Sequence, residues 1–129
     1  MPPLLQIAIG GALGAVLRHA SVSLGLRLLG PGFPWGTMAV NVVGSLAMGV
    51  VATLALTRGA PSAWREAAPF LIPGLLGGFT TFSAFSFDAF LLIERGRPVA
   101  AFLYVGGSVL LGLVALVAGV RAAQIWGAA

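Results

Sequence analysis

Residues 35–57 and 99–120 each run for more than twenty positions without a charged side chain. Crossing the hydrocarbon of a bilayer as a helix takes about 20 predominantly apolar residues. Only helices and closed barrels satisfy their own backbone there. Two uncharged runs of this length in one chain therefore predict membrane-spanning helices.

Two further spans carry interruptions. Residues 4–26 are interrupted by Arg18 and His19; residues 67–93 hold Pro69 and Pro73 near the start and Asp88 near the end. The joints "LGPGFP", "TRGAPSAWRE" and "ERGRP" have turn composition. The reading is an all-α integral membrane protein, one four-helix domain over residues 1–129. Only 8% of residues are charged and the mean hydropathy is +1.05, against about 25% charged in a soluble domain. The N-terminus "MPPLLQIAIGGALG" lacks a basic n-region and an obvious cleavage site, so it reads as a retained helix.

Several chemistries drop out at once. There is no cysteine, hence no disulfide, thiolate metal site or thiol nucleophile. His19 is the single histidine. No nucleophile–base pair, metal-ligand set or nucleotide loop is present, so an enzyme is not expected. Seven arginines against Glu66, Asp88 and Glu94 give a net charge of +4. In a membrane protein that excess favours an anionic guest and does not point to nucleic acid.

Lys/Arg bias between the two faces sets orientation. Four spans put Arg58, Arg65 and Arg121 on one face and Arg27, Arg95 and Arg97 on the other. Three against three is no bias, which predicts insertion in both directions and permits an antiparallel homodimer surrounded by lipid. Four helices enclose little polar volume, so the dimer is the expected transport unit.

Small residues recur at helical spacing: Gly10 and Gly14 with Arg18 beyond them, then Asn41, Ser45 and Gly49, then Tyr104, Ser108 and Gly112. The glycines read as helix–helix contacts. A polar group inside the bilayer faces a bundle interior or an aqueous cavity, and a charge at the centre costs about 2.5–3.5 kcal/mol. Asn41, about a quarter of the way along its span, cannot snorkel and is read as facing a pathway. Arg18 fits snorkelling or function equally, and Ser108 can bond back to its own helix.

The segment "GGFTTFSAFSFD", 77–88, is the least expected. At about 100° per residue from Phe79, residues Thr81, Phe82, Phe85 and Ser86 share one face. Phenylalanines at i, i+3 ordinarily mean packing, which leaves the hydroxyl density unexplained. A glycine pair weakens a helix. A break there would free carbonyl oxygens, tolerated in a membrane only when buried in protein or lining a cavity, and suited to a hard cation such as Na⁺.

The motifs "GGALGAVLRH", "GTMAVNVVGSLAMG", "GGFTTFSAFSFD" and "YVGGSVLLG", in that order on four spans, resemble the CrcB/Fluc family of small fluoride channels over nearly the whole chain. The resemblance implies an antiparallel dual-topology homodimer in the prokaryotic inner membrane, with a third helix broken near its middle and two fluoride pores. It implies a structural Na⁺ at the dimer centre, held by the Gly77 and Thr80 carbonyls of both subunits. It further implies Phe82 and Phe85 as pore aromatics, Asn41 as the pore amide, and a polar track drawn from Thr81, Ser83, Tyr104 and Ser108. Arg18 matches the family's vestibule arginine, and Ser86 joins the pathway through the helical phase. Asp88 stands where a glutamate is expected, and Gly112 where some members carry a serine. Two other classes compete on the residues alone: a proton-coupled exporter of cationic compounds, and a membrane assembly protein without transport. The first needs an embedded carboxylate, for which Asp88 is the candidate.

Overall fold

The computed structural model describes residues 1–128, and all regular structure among them is helical. Helices α1 (Pro3–Leu29), α2 (Trp35–Leu56) and α6 (Pro98–Ala128) are continuous. The third span is assembled from pieces. These are α3 (Ser62–Pro69), a π-helical stretch (Phe70–Leu76), the single turn α4 (Gly77–Phe79) and, after two extended residues, α5 (Phe82–Glu94). Four units, with Ser62–Glu94 counted as one, are long and apolar enough to cross a membrane. The third begins earlier than position 67, because "SAWRE" in the second joint is already helical.

Glycines close the joints. Gly30 and Gly96 have φ of 77° and 72°, a left-handed conformation that costs glycine little and other residues more. The guanidinium of Arg97 donates to the Gly32 carbonyl and ties the first joint to the last.

The π-helical stretch follows from proline chemistry. Pro73 has no N–H to return to Pro69, so the α-helical ladder is interrupted there. The chain continues in a wider register, in which the Gly77 N–H reaches the Ile72 carbonyl.

Packing rests on glycine. Without a hydrophobic force between helices in lipid, close backbone approach supplies the contact. Helices α2 and α6 pack most extensively. Gly49 lies on the Leu116 carbonyl and Gly119 on the Leu46 carbonyl, where a Cβ at either would strike backbone. On the other side, Gly10 and Gly14 of α1 lie on the Phe70 and Leu75 carbonyls. Gly78 meets the Gly11 backbone, and an added Cβ would sit 3.0 Å from the Gly11 Cα. The small-residue stripes are therefore helix contacts.

This corrects the expected origin of the break. Gly77 is helical, with φ −63° and ψ −38°, and Gly78 serves packing against α1. The extended residues are Thr80 (φ −78°, ψ 155°) and Thr81 (φ −152°, ψ 119°). A helical phase carried from Phe79 into α5 does not survive two extended residues.

Candidate functional site

The break is held from α2. Thr80 stays attached to the helix behind it: its N–H and Oγ1 donate to the Leu76 carbonyl at 3.0 and 2.9 Å. Thr81 turns to Asn41 instead. The Thr81 N–H donates to Asn41 Oδ1 at 2.8 Å, and Asn41 Nδ2 donates to the Thr81 carbonyl at 3.0 Å. The carboxamide thus pairs with an extended residue as a neighbouring strand would. One turn further along α2, Gly44 leaves room for the Thr80 methyl, which a Cβ there would displace. Thr81 also starts α5, since its Oγ1 accepts from the Ala84 N–H at 3.2 Å.

These bonds alter two carbonyls. In an unbroken helix the Gly77 carbonyl would receive the Thr81 N–H, and the Thr80 carbonyl the Ala84 N–H. Here the first donor goes to Asn41 and the second to the Thr81 hydroxyl. Gly77 is exposed and Thr80 half-buried.

Beside the break lies a groove of about 310 Å³ between α2, α5 and α6, lined by Asn41, Thr81, Phe82, Phe85 and Ser108 among others. It holds no charged side chain. Ser108 is 7% exposed, and its hydroxyl has no hydrogen-bond partner among the described residues. A buried unpaired hydroxyl costs about 1–3 kcal/mol, so a donor is kept available at this wall. Asn41 adds the second N–H of its Nδ2. Ser45, by contrast, bonds back to the Asn41 carbonyl at 2.7 Å.

The phenylalanines begin an aromatic ladder. Phe82 and Phe85 have ring centroids 5.7 Å apart, Phe85 and Tyr104 5.2 Å, Tyr104 and Phe33 5.5 Å, and Phe33 and Trp35 4.5 Å. The ladder ends at a second cavity, of about 330 Å³, lined by Phe33, Thr37, Asp88 and Arg95. Tyr104 is fully buried and donates to Asp88 Oδ2 at 3.3 Å.

The structure brings together Asn41, Thr81, Phe82, Phe85 and Ser108, with Tyr104 behind Phe85. Besides Tyr104, three expected pathway residues lie outside the groove lining. Ser83 is exposed, its Oγ 3.4 Å from that of Thr81. Ser86 is exposed and donates to the Phe82 carbonyl at 2.9 Å. Arg18 lies on α1, which contacts neither α5 nor α6, and its Nε is buried without a partner. Sequence reasoning missed Thr37 and Phe33. Phe33 sits in a joint whose Pro-Gly composition signals only a turn.

Comparison with known proteins follows the same lines. Residues 5–120 match the family model described as CrcB-like protein, Camphor Resistance (CrcB). A protein of Cereibacter sphaeroides named "Fluoride-specific ion channel FluC" is 53% identical over 123 residues, 95% of each chain. Relatives with the same name from Rhizobium etli and Paracoccus denitrificans are each 52% identical. The first match covers 88% of this chain and 89% of the relative, the second 89% of both. Four membrane-length helices together with these bacterial channel relatives make the protein a multi-pass component of the prokaryotic plasma membrane. The chain belongs to the CrcB family.

Proposed function

We propose that the chain is a fluoride-selective channel, not an enzyme, that lets fluoride leave the cell passively and lowers its cytoplasmic concentration. The observation that carries this reading is the groove: two phenylalanine rings, an amide N–H and an unpaired buried serine hydroxyl, with no charge among them. Relatives at about half identity are named as fluoride-specific channels.

Fluoride is small and tightly hydrated, so a pathway must replace its water with donors. Asn41 and Ser108 supply N–H and O–H groups on the groove wall. Phenylalanine has a positive ring edge, and Phe82 and Phe85 present edges to an anion without trapping it. Entry and exit must both remain easy, which neutral donors and ring edges allow and an arginine in the groove would not. Tyr104 continues the ladder towards the Thr37 and Asp88 cavity.

The conducting unit is an antiparallel homodimer with two pathways. Phe82 is 80% exposed in the single chain, and Ser83 and Ser86 are exposed within the same span. Broken backbone and hydroxyls do not face lipid, so a second copy covers them. The even arginine count permits that copy to insert the other way up. The Gly77 and Thr80 carbonyls, deprived of their helical donors, fit a hard cation, with two from each copy around Na⁺. Among the described residues no cluster of His, Asp or Glu could hold a metal, so carbonyls are the fitting donors. Na⁺ there would neutralise the carbonyl dipoles and fasten the two copies at the break.

Fluoride efflux from proteoliposomes tests the pathway. Asn41→Asp should slow efflux about tenfold or more, the value of one hydrogen bond to a charge, and Phe82→Ile should slow it through loss of a positive ring edge. Undiminished efflux in both would remove the groove from the pathway.

A further inference from the structure

Asn41 is used twice. Its Oδ1 and one Nδ2 hydrogen are committed to the Thr81 backbone at 2.8 and 3.0 Å, while the residue also lines the groove. Flipping the amide would set Oδ1 against the Thr81 carbonyl and Nδ2 against the Thr81 N–H, two repulsive contacts. Its orientation is thereby locked, and the uncommitted donor is always an N–H.

The Thr81 N–H is also the donor that the Gly77 carbonyl would hold in a continuous helix. Without an acceptor on α2, Thr81 can return to that carbonyl and the break can close. Gly44 supports the same arrangement from one turn away, by admitting the Thr80 methyl.

We propose that Asn41 couples the two ion sites. By accepting the Thr81 N–H it keeps the Gly77 carbonyl free for the cation, and the orientation this fixes presents its remaining N–H to the anion. The inference rests on the fluoride and sodium reading above. It assigns Asn41 a positioning role towards the cation, which it does not touch.

Two substitutions separate the roles. Asn41→Asp retains an acceptor for the Thr81 N–H but loses both donors; Asn41→Ala loses the acceptor as well. The readouts are fluoride efflux from liposomes and, separately, thermal unfolding of the purified protein as Na⁺ replaces N-methylglucamine. Both variants should lose efflux. Asn41→Ala should raise the Na⁺ concentration for half-maximal stabilisation about 10–100-fold, as loss of a supporting outer-shell group does, and Asn41→Asp should shift it much less.

An unchanged Na⁺ midpoint in Asn41→Ala, with efflux lost, would overturn the coupling and leave the channel reading intact. Equal shifts in both variants would also overturn it, because the acceptor would then not matter. A wild-type protein indifferent to Na⁺ would remove the cation site and the coupling together. Should Asn41→Ala not fold, hydrogen exchange in the wild-type protein decides. The 80–84 amides should exchange about tenfold or more slowly in Na⁺, through the closer-held break; exchange independent of Na⁺ would overturn the coupling.

Discussion

Asn41 and Thr81, forty positions apart, exchange two hydrogen bonds of 2.8 and 3.0 Å across the α2–α5 boundary. Through this pair a continuous helix supports a broken one. A side-chain amide satisfies both backbone groups that an extended residue would otherwise leave bare inside a membrane.

Replacing Asn41 with leucine removes both partners without emptying the site. Two unsatisfied backbone groups at about 1–3 kcal/mol each predict a loss on the order of 2–6 kcal/mol. Reversible unfolding in mixed micelles, followed by circular dichroism, reads this directly. A stability within about 0.5 kcal/mol of wild type would mean that Thr81 finds other partners.

Ser108→Ala should behave in the opposite way. The serine hydroxyl has no partner to lose, so stability should hold or rise slightly, while fluoride efflux falls several-fold through loss of a donor to the anion. Destabilisation with unchanged efflux would make Ser108 a packing residue.

Gly49→Ala tests the α2–α6 contact. The new Cβ meets the Leu116 carbonyl, and overpacking of this kind costs about 1–3 kcal/mol. Gly112→Ala is the control: its Cβ would lie 3.6 Å from Ser45 Oγ, an ordinary contact, and unfolding should be unaffected. Equal effects at both sites would contradict the glycine-mediated packing.

Orientation can be measured because the chain has no cysteine. Ser62→Cys, at the exposed start of α3, should be labelled by a membrane-impermeant maleimide in about half of the chains in intact cells, as balanced loop charge requires. Labelling of all chains or of none would establish a single orientation and exclude the antiparallel dimer.

The spans were legible because an uncharged run longer than twenty residues has few other fates. The glycine stripes were legible because spacing reveals a shared face. The origin of the break was not. In lipid a glycine pair signals close packing as readily as a weak helix, and Gly78 against Gly11 is the former. The extended geometry falls on Thr80–Thr81, where nothing local forbids a helix and the deciding partner is Asn41, remote in sequence. Ser86, placed with Phe82 and Phe85 by periodicity, donates back to the Phe82 carbonyl of its own helix and lies outside the groove lining. That Asn41 required partners followed from its depth in the membrane; that the partner is backbone required the fold.

Fluoride and chloride efflux from the same proteoliposomes, each followed with an ion-selective electrode, is the most direct measurement. A groove that offers neutral donors and phenylalanine rings and no charged side chain should release fluoride rapidly and leave the chloride load in place. Release of both ions at similar rates, or of neither, would contradict a fluoride-selective channel.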